Sequence, residues 1–216
     1  MSFELSTGAE ARWTGTPGPR AVVCVNGGTA AEVPGTWSAS IEWLVRELSV
    51  RLPGLPFLEV RYRVKSWRRL DSCVEDGGAA VAAAREAGAL EVALLGFSMG
   101  GAVAVRNAPA PECRLVVGVN PWLPPQLELE PLVGRRLAVV HGSLDARLPG
   151  IPGVNPAMSL AAAERARALG IDVERQIVKG GFHAVALRRR NGGLVALPRA
   201  DRYRDLVQTE LERFCA

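Results

Sequence analysis

Val92-Ala93-Leu94-Leu95-Gly96-Phe97-Ser98-Met99-Gly100-Gly101 is the stretch on which the fold turns. Val92–Leu95 reads as a short buried strand. The glycine-rich segment behind it runs straight into a helical pattern that must end before Pro109-Ala110-Pro111. Outward from this unit the same alternation recurs, with candidate strands at Ala21–Val25, Leu58–Tyr62, Leu115–Val119, Leu137–Val140 and Val173–Val178. Between them Trp37, Ile41, Leu44, Val45 and Leu48 fall at helical spacing. Asp71–Ala87 is Ala-rich and followed by Gly88 as a C-cap, and Met158–Leu169 stops at Gly170. Tyr203, Leu206, Val207, Leu211 and Phe214 stripe a last helix that Asp201 is placed to cap. Strands alternating with helices predict an α/β fold: a mainly parallel sheet of about six strands flanked by helices, with no large cap domain, in one domain over 1–216.

Composition narrows the class. Of 216 residues 48% are apolar and 22% charged, which excludes wholesale disorder, collagen and coiled coil. No run approaches the ~18–20 apolar residues of a membrane span, and Met1-Ser2-Phe3-Glu4-Leu5 has neither a basic nor an apolar leader, so the expected address is cytoplasmic. The net charge of +4 comes from arginine spread along the chain, Lys65 and Lys179 being the two lysines; that pattern argues against nucleic acid as a partner. Cys24, Cys73, Cys113 and Cys215 are far apart and read as reduced thiols.

Gly96-Phe97-Ser98-Met99-Gly100 fits the G-x-S-x-G turn, which arises by chance in roughly one chain in ten of this composition, so its strand-to-helix context carries the weight. A turn this sharp needs residues without bulky side chains two places either side of the serine. It leaves the Ser98 hydroxyl clear of the sheet, beside the Met99 backbone N–H. A serine hydroxyl is a poor nucleophile and needs a base, which a carboxylate orients. Only His141 and His183 are available, and the order serine, acid, histidine selects His183, on the glycine-rich loop after Val173–Val178. Asp145, in the loop after Leu137–Val140, is the acid by elimination: Asp71, Asp76, Asp172, Asp201 and Asp205 fall in or beside helices or at a strand's start. His141 is expected to be packed or hydrogen-bonded beneath that loop. A second oxyanion donor is expected from the Gly28 backbone N–H in Asn26-Gly27-Gly28-Thr29, with Thr29 as runner-up.

Val25-Asn26-Gly27-Gly28, Leu95-Gly96-Phe97-Ser98-Met99-Gly100-Gly101, His141-Gly142-Ser143-Leu144-Asp145 and Gly181-Phe182-His183, four segments in this order, resemble the α/β-hydrolase superfamily, and within it the small single-domain members similar to dienelactone hydrolases and compact serine esterases. The resemblance covers most of the chain and implies an α/β-hydrolase fold and a serine hydrolase acting on a small ester, thioester or lactone. There are departures. Dienelactone hydrolases carry cysteine where Ser98 stands, the first loop opens with Asn26 rather than histidine, and the short front end implies that two early antiparallel strands are absent or reduced.

Two further segments are placed to shape a pocket: the proline-rich run from Asn120 to Pro131, with Trp122 as a wall or as ordinary packing, and Ala184–Leu197, where Asn191-Gly192 suggests a hairpin. Arg63-Val64-Lys65-Ser66-Trp67-Arg68-Arg69 is either a solvated basic loop or a rim for an anionic substrate. No nucleotide fingerprint or metal-spaced cluster appears, so no cofactor or metal is expected. Acyl transfer or cyclisation by the same residues, and a non-catalytic scaffold used for binding, stand as alternatives.

Overall fold

The structure, a computed structural model, describes residues 1–145 and 153–216. Its main sheet is built from β1 (Ser2–Glu4), β2 (Glu10–Thr14), β3 (Arg20–Val25), β4 (Phe57–Arg61), β5 (Glu91–Phe97), β6 (Cys113–Val119), β7 (Arg136–Gly142) and β8 (Asp172–Val178). Their spatial order is β1-β2-β4-β3-β5-β6-β7-β8. From β4 to β8 all neighbours are parallel, while β1 and β2 run antiparallel at one edge. The sheet therefore has eight strands rather than six, and the early antiparallel pair is present in reduced form, three and five residues long. Periodicity did not show them because β1 is wholly exposed and β2 buries little beyond Ala11.

Helices α1 (Ala39–Arg51), α2 (Leu70–Glu86), α3 (Gly100–Asn107), α4 (Pro156–Ala168) and α5 (Ala200–Cys215) cover both faces. That is why the central strands read as continuous apolar runs. Alternate residues feed two cores. Val23, Val25, Leu94 and Val116 pack with Cys73, Ala80, Val103 and Ala166 on one side. Val22, Cys24, Leu95 and Val117 pack with Ile41, Leu44, Tyr203 and Leu211 on the other. All four cysteines are free, and burial pushes Cys73 up to about 11 and Cys113 up to about 12.

Capping follows the expected logic at several ends. Ser38 accepts from the Ile41 N–H to start α1, which leaves Trp37 outside the helix. Gly88, at φ +102°, closes α2, with the Ala89 N–H reaching back to the Ala84 carbonyl. Asp201 does not cap α5; it lies in the first turn, behind Arg199 in a left-handed conformation. The expected hairpin is there, Ala186–Arg188 pairing antiparallel with Leu194–Ala196 and Gly192 at φ +85° in the turn.

Parallel register brings the strand ends level. Val25 pairs with Gly96, Gly96 with Gly118, Val119 with Val140, and Val178 with Gly142. The loops that begin at Asn26, Ser98, Asn120, Ser143 and Lys179 therefore leave the sheet along one carboxyl edge, where open α/β sheets place their sites.

Candidate active site

Ser98 stands at the bend between β5 and α3 with φ +55°, a conformation rare for a residue with a side chain. The turn is held from three directions. The Ser98 N–H donates to the Val119 carbonyl at 3.1 Å, and the Ser98 carbonyl accepts from the N–H groups of Gly101 at 2.9 Å and Trp122 at 2.8 Å. Both flanking glycines are required by space: a Cβ on Gly96 would stand 2.3 Å from the Gly100 carbonyl oxygen, and one on Gly100 2.4 Å from that of Val25.

The Ser98 Oγ lies 3.1 Å from Nε2 of His183, and Nδ1 of His183 lies 2.9 Å from Oδ2 of Asp145. An ionised carboxylate only accepts, so the proton sits on Nδ1 and leaves Nε2 to accept from the serine hydroxyl. The three side chains come from the loops after β5, β7 and β8, and the register above sets them side by side. Asp145 is buried, with His183 nearly so. Burial alone would raise the Asp145 carboxyl. Hydrogen bonds from His141 and His183, the charge of a protonated His183 and the Val154 N–H outweigh it and hold the carboxyl below its usual range.

His141 is where sequence reasoning put it, buried beneath the loop, and it does more than fill space. Its Nε2 lies 3.0 Å from Asp145 Oδ2 and 3.0 Å from the Val154 carbonyl, so this nitrogen carries the proton. Nδ1 is buried without a partner among the described residues. Val154 donates its N–H to the other Asp145 oxygen at 2.8 Å. Asp145 is thus gripped at both oxygens.

Asn120 is the residue that motif reading passed over. At φ +46° it ends β6 with a bend like that of Ser98 one strand away. Its amide donates to the carbonyls of Phe182 at 2.9 Å and His183 at 2.5 Å, and its oxygen accepts from the Gly142 N–H at 2.7 Å. The Tyr203 hydroxyl donates to the Phe182 carbonyl at 2.7 Å. The His183 loop is therefore tied to β6, β7 and α5. An asparagine ending a strand is a weak signal on its own, and its partners lie more than 20 residues away in sequence.

Gly28 packs against the Met99 side chain, and Gly27 is the nearer of the pair to Ser98: a Cβ on Gly27 would stand 3.2 Å from the Ser98 Cβ. The backbone N–H groups of Gly28 and Met99 find no acceptor among the described residues. The Thr29 hydroxyl is engaged with the carbonyls of Ala31 and Lys65.

A cavity of about 240 Å³ opens between Gly27, Gly28, Trp37, Lys65, Phe97 and Ala184; its walls include Phe97 and Ala184, the chain neighbours of Ser98 and His183. Of the basic run 63–69, Lys65 faces this cavity, whereas Arg63 is paired with Asp76 and Glu75. Trp122 lines a neighbouring groove with Leu70 and Arg106 instead, and its contribution here is the backbone bond to Ser98. A larger cavity, about 840 Å³, sits at the opposite end of the sheet beside Pro19 and Leu90, and its charged groups are already paired, Arg20 and Arg114 with Glu91 and Arg51 with Glu47. Among the described residues no cluster of three or more His, Cys, Asp or Glu side chains is placed to hold a metal ion, and no helix is long and apolar enough to cross a membrane.

No protein-family model and no curated protein matches the chain in sequence. Solved structures match its fold end to end. A protein of unknown function from Agrobacterium tumefaciens, provisionally described as an alpha/beta hydrolase, superposes with a TM-score of 0.72 at 15% identity over 100% of this chain and 95% of its own. An esterase superposes at 0.70 and 16% over 98% and 99%. A dienelactone hydrolase-like promiscuous phosphotriesterase from metagenomic libraries superposes at 0.69 and 16% over 98% and 96%. The fold is that of the α/β hydrolases, as the four ordered segments implied.

Proposed function

We propose that the protein is a serine hydrolase that cleaves a small ester or thioester through an acyl-enzyme on Ser98. The observation that carries this reading is the continuous chain Ser98 Oγ, His183 Nε2, His183 Nδ1, Asp145 Oδ2, with links of 3.1 and 2.9 Å. In the first half-reaction Ser98 Oγ attacks the carbonyl carbon as His183 Nε2 takes its proton, and Asp145 stabilises the imidazolium that forms. The carbonyl oxygen becomes an oxyanion, and the N–H groups of Met99 and Gly28 supply the positive dipoles it needs. Collapse expels the alcohol or thiol with the proton from His183. Water then repeats the sequence on the acyl-enzyme and releases the acid.

The likeness to esterases supports the hydrolytic outcome, and the small cavity supports a small-molecule substrate. No step of this scheme draws on a metal or cofactor. Purified protein offered short 4-nitrophenyl esters and thioesters should release product in a burst followed by a steady rate. Ser98→Ala turning over such esters at the wild-type rate would remove the serine from the mechanism.

A further inference from the structure

Among the residues lining the cavity of about 240 Å³, Lys65 alone is charged. Three neighbouring arginines have carboxylate partners, Arg61 with Glu10, Arg63 with Asp76 and Arg69 with Glu32, and Arg68, which has none among the described residues, does not line the cavity. The Lys65 ammonium instead donates to the Thr36 hydroxyl at 2.9 Å, and no ion pair engages it among the described residues. Burial pushes it down from its usual range with no carboxylate near enough to oppose the shift. A half-buried cation without a counter-ion is a ready partner for an anion that enters the site.

The lysine is also held in place. Val64–Lys65 pairs antiparallel with Val33–Pro34, and the Thr29 hydroxyl donates to the Lys65 carbonyl at 3.0 Å. The 13-residue helix α1 opens onto the same cavity, with Ser38, Ala39 and Ser40 in its wall. The N–H groups of Ala39 and Ser40 find no acceptor among the described residues, and they add the positive end of the helix to the charge of Lys65. The wall at Ser40 and Ala186 is buried, which closes the cavity on that side and suits the acyl chain, the part that stays on Ser98 while the leaving group departs. The volume equals about eight water molecules at ~30 Å³ each, which restricts that chain to a few carbons.

We infer that the acyl group taken by Ser98 ends in a carboxylate seated between Lys65, Thr36 and the first turn of α1, so that the substrate is a half-ester or half-thioester of a short dicarboxylic acid. This rests on the hydrolase reading above. A single ammonium matches a monoanion; a phosphate dianion would leave charge unmatched.

Two measurements test it separately from that reading. The first compares kcat/KM for mono(4-nitrophenyl) glutarate and 4-nitrophenyl butyrate. The wild type should favour the anionic ester by about tenfold or more, the scale of a hydrogen bond to a charged group. Lys65→Met should abolish that preference, Lys65→Arg should keep part of it, and Lys65→Glu should invert it. A preference unchanged in Lys65→Met, or a wild type that favours butyrate, overturns the inference and leaves the hydrolase reading standing. The second titrates glutarate and inorganic phosphate calorimetrically into Ser98→Ala protein, where no turnover intervenes. Glutarate binding that vanishes with Lys65→Met supports the site even if neither ester is hydrolysed, in which case the reaction itself has been misread. Phosphate binding more tightly than glutarate, or glutarate binding that ignores Lys65, overturns the carboxylate assignment.

Discussion

The hydroxyl of Ser98 and Nε2 of His183 lie 3.1 Å apart although 85 positions separate them in the chain. The distance is fixed by two bends on neighbouring strands. Ser98 bends at the end of β5 with φ +55°, and Asn120 at the end of β6 with φ +46°; the second holds the histidine loop over the first.

Removing either end of this contact should stop acyl transfer without unfolding the chain. Ser98→Ala and His183→Ala are each expected to lower kcat by about 10⁴–10⁶, and the double variant by little more than either single one, because the two act as one unit. Steady-state kinetics with a 4-nitrophenyl ester, alongside far-ultraviolet circular dichroism, reads both effects. Additive losses in the double variant would mean that the pair does not work together.

Gly100→Ala places a methyl group 2.4 Å from the Val25 carbonyl oxygen, backbone that cannot step aside. Overpacking of this kind costs about 1–3 kcal/mol, and the shifted turn should also lower activity. Gly54, where an added Cβ meets nothing within 4 Å, is the control, and Gly54→Ala should stay within about 0.5 kcal/mol of wild type. Urea unfolding of the two variants gives the comparison.

Asn120→Ala would strip the carbonyls of Phe182 and His183 and the N–H of Gly142 of a partner at once. The Phe182 carbonyl keeps the Tyr203 hydroxyl, but the His183 carbonyl and the Gly142 N–H are left unpaired, and losses of about 1–3 kcal/mol for each predict a marked fall in melting temperature. The effect on the reaction should fall on kcat more than on KM, since the residue holds the His183 loop and does not line the cavity.

Acid should weaken the protein through Asp145. Its carboxyl titrates below its usual range in the folded chain, so the folded state prefers the ionised form more strongly than the unfolded state does. That contribution is complete above the unfolded value of about 3.9 and is lost as the pH falls below it, through the lower folded value. The stability gap between wild type and Asp145→Asn should accordingly narrow as the pH drops below about 4. A gap that widens in acid would contradict the assigned direction.

The strand-turn-helix unit around Ser98 was legible because its glycines are dictated by backbone contacts at 2.3 and 2.4 Å, a local requirement that leaves a local trace. Asp145 and His183 were singled out by chain order, there being only two histidines to choose between, and the structure sets them 2.9 Å apart. What stayed hidden is long-range. β1 and β2 bury too little to show a period, and the clamp of Asn120 joins loops brought together by strand register alone. His141 read as a ring packed or hydrogen-bonded beneath the loop, but nothing in a sequence says that it donates to the same carboxylate oxygen as His183. Lys65 was one cation in a basic run until the structure showed that it alone of that run lines the cavity.

The central claim is that Ser98 is an activated nucleophile. Incubation with a fluorophosphonate probe, followed by mass spectrometry of the modified peptide in wild type and His183→Ala, tests it most directly. Labelling at Ser98 that is lost in His183→Ala is the result expected. Folded wild-type protein that takes up no label, or takes it up at another residue, would contradict the claim.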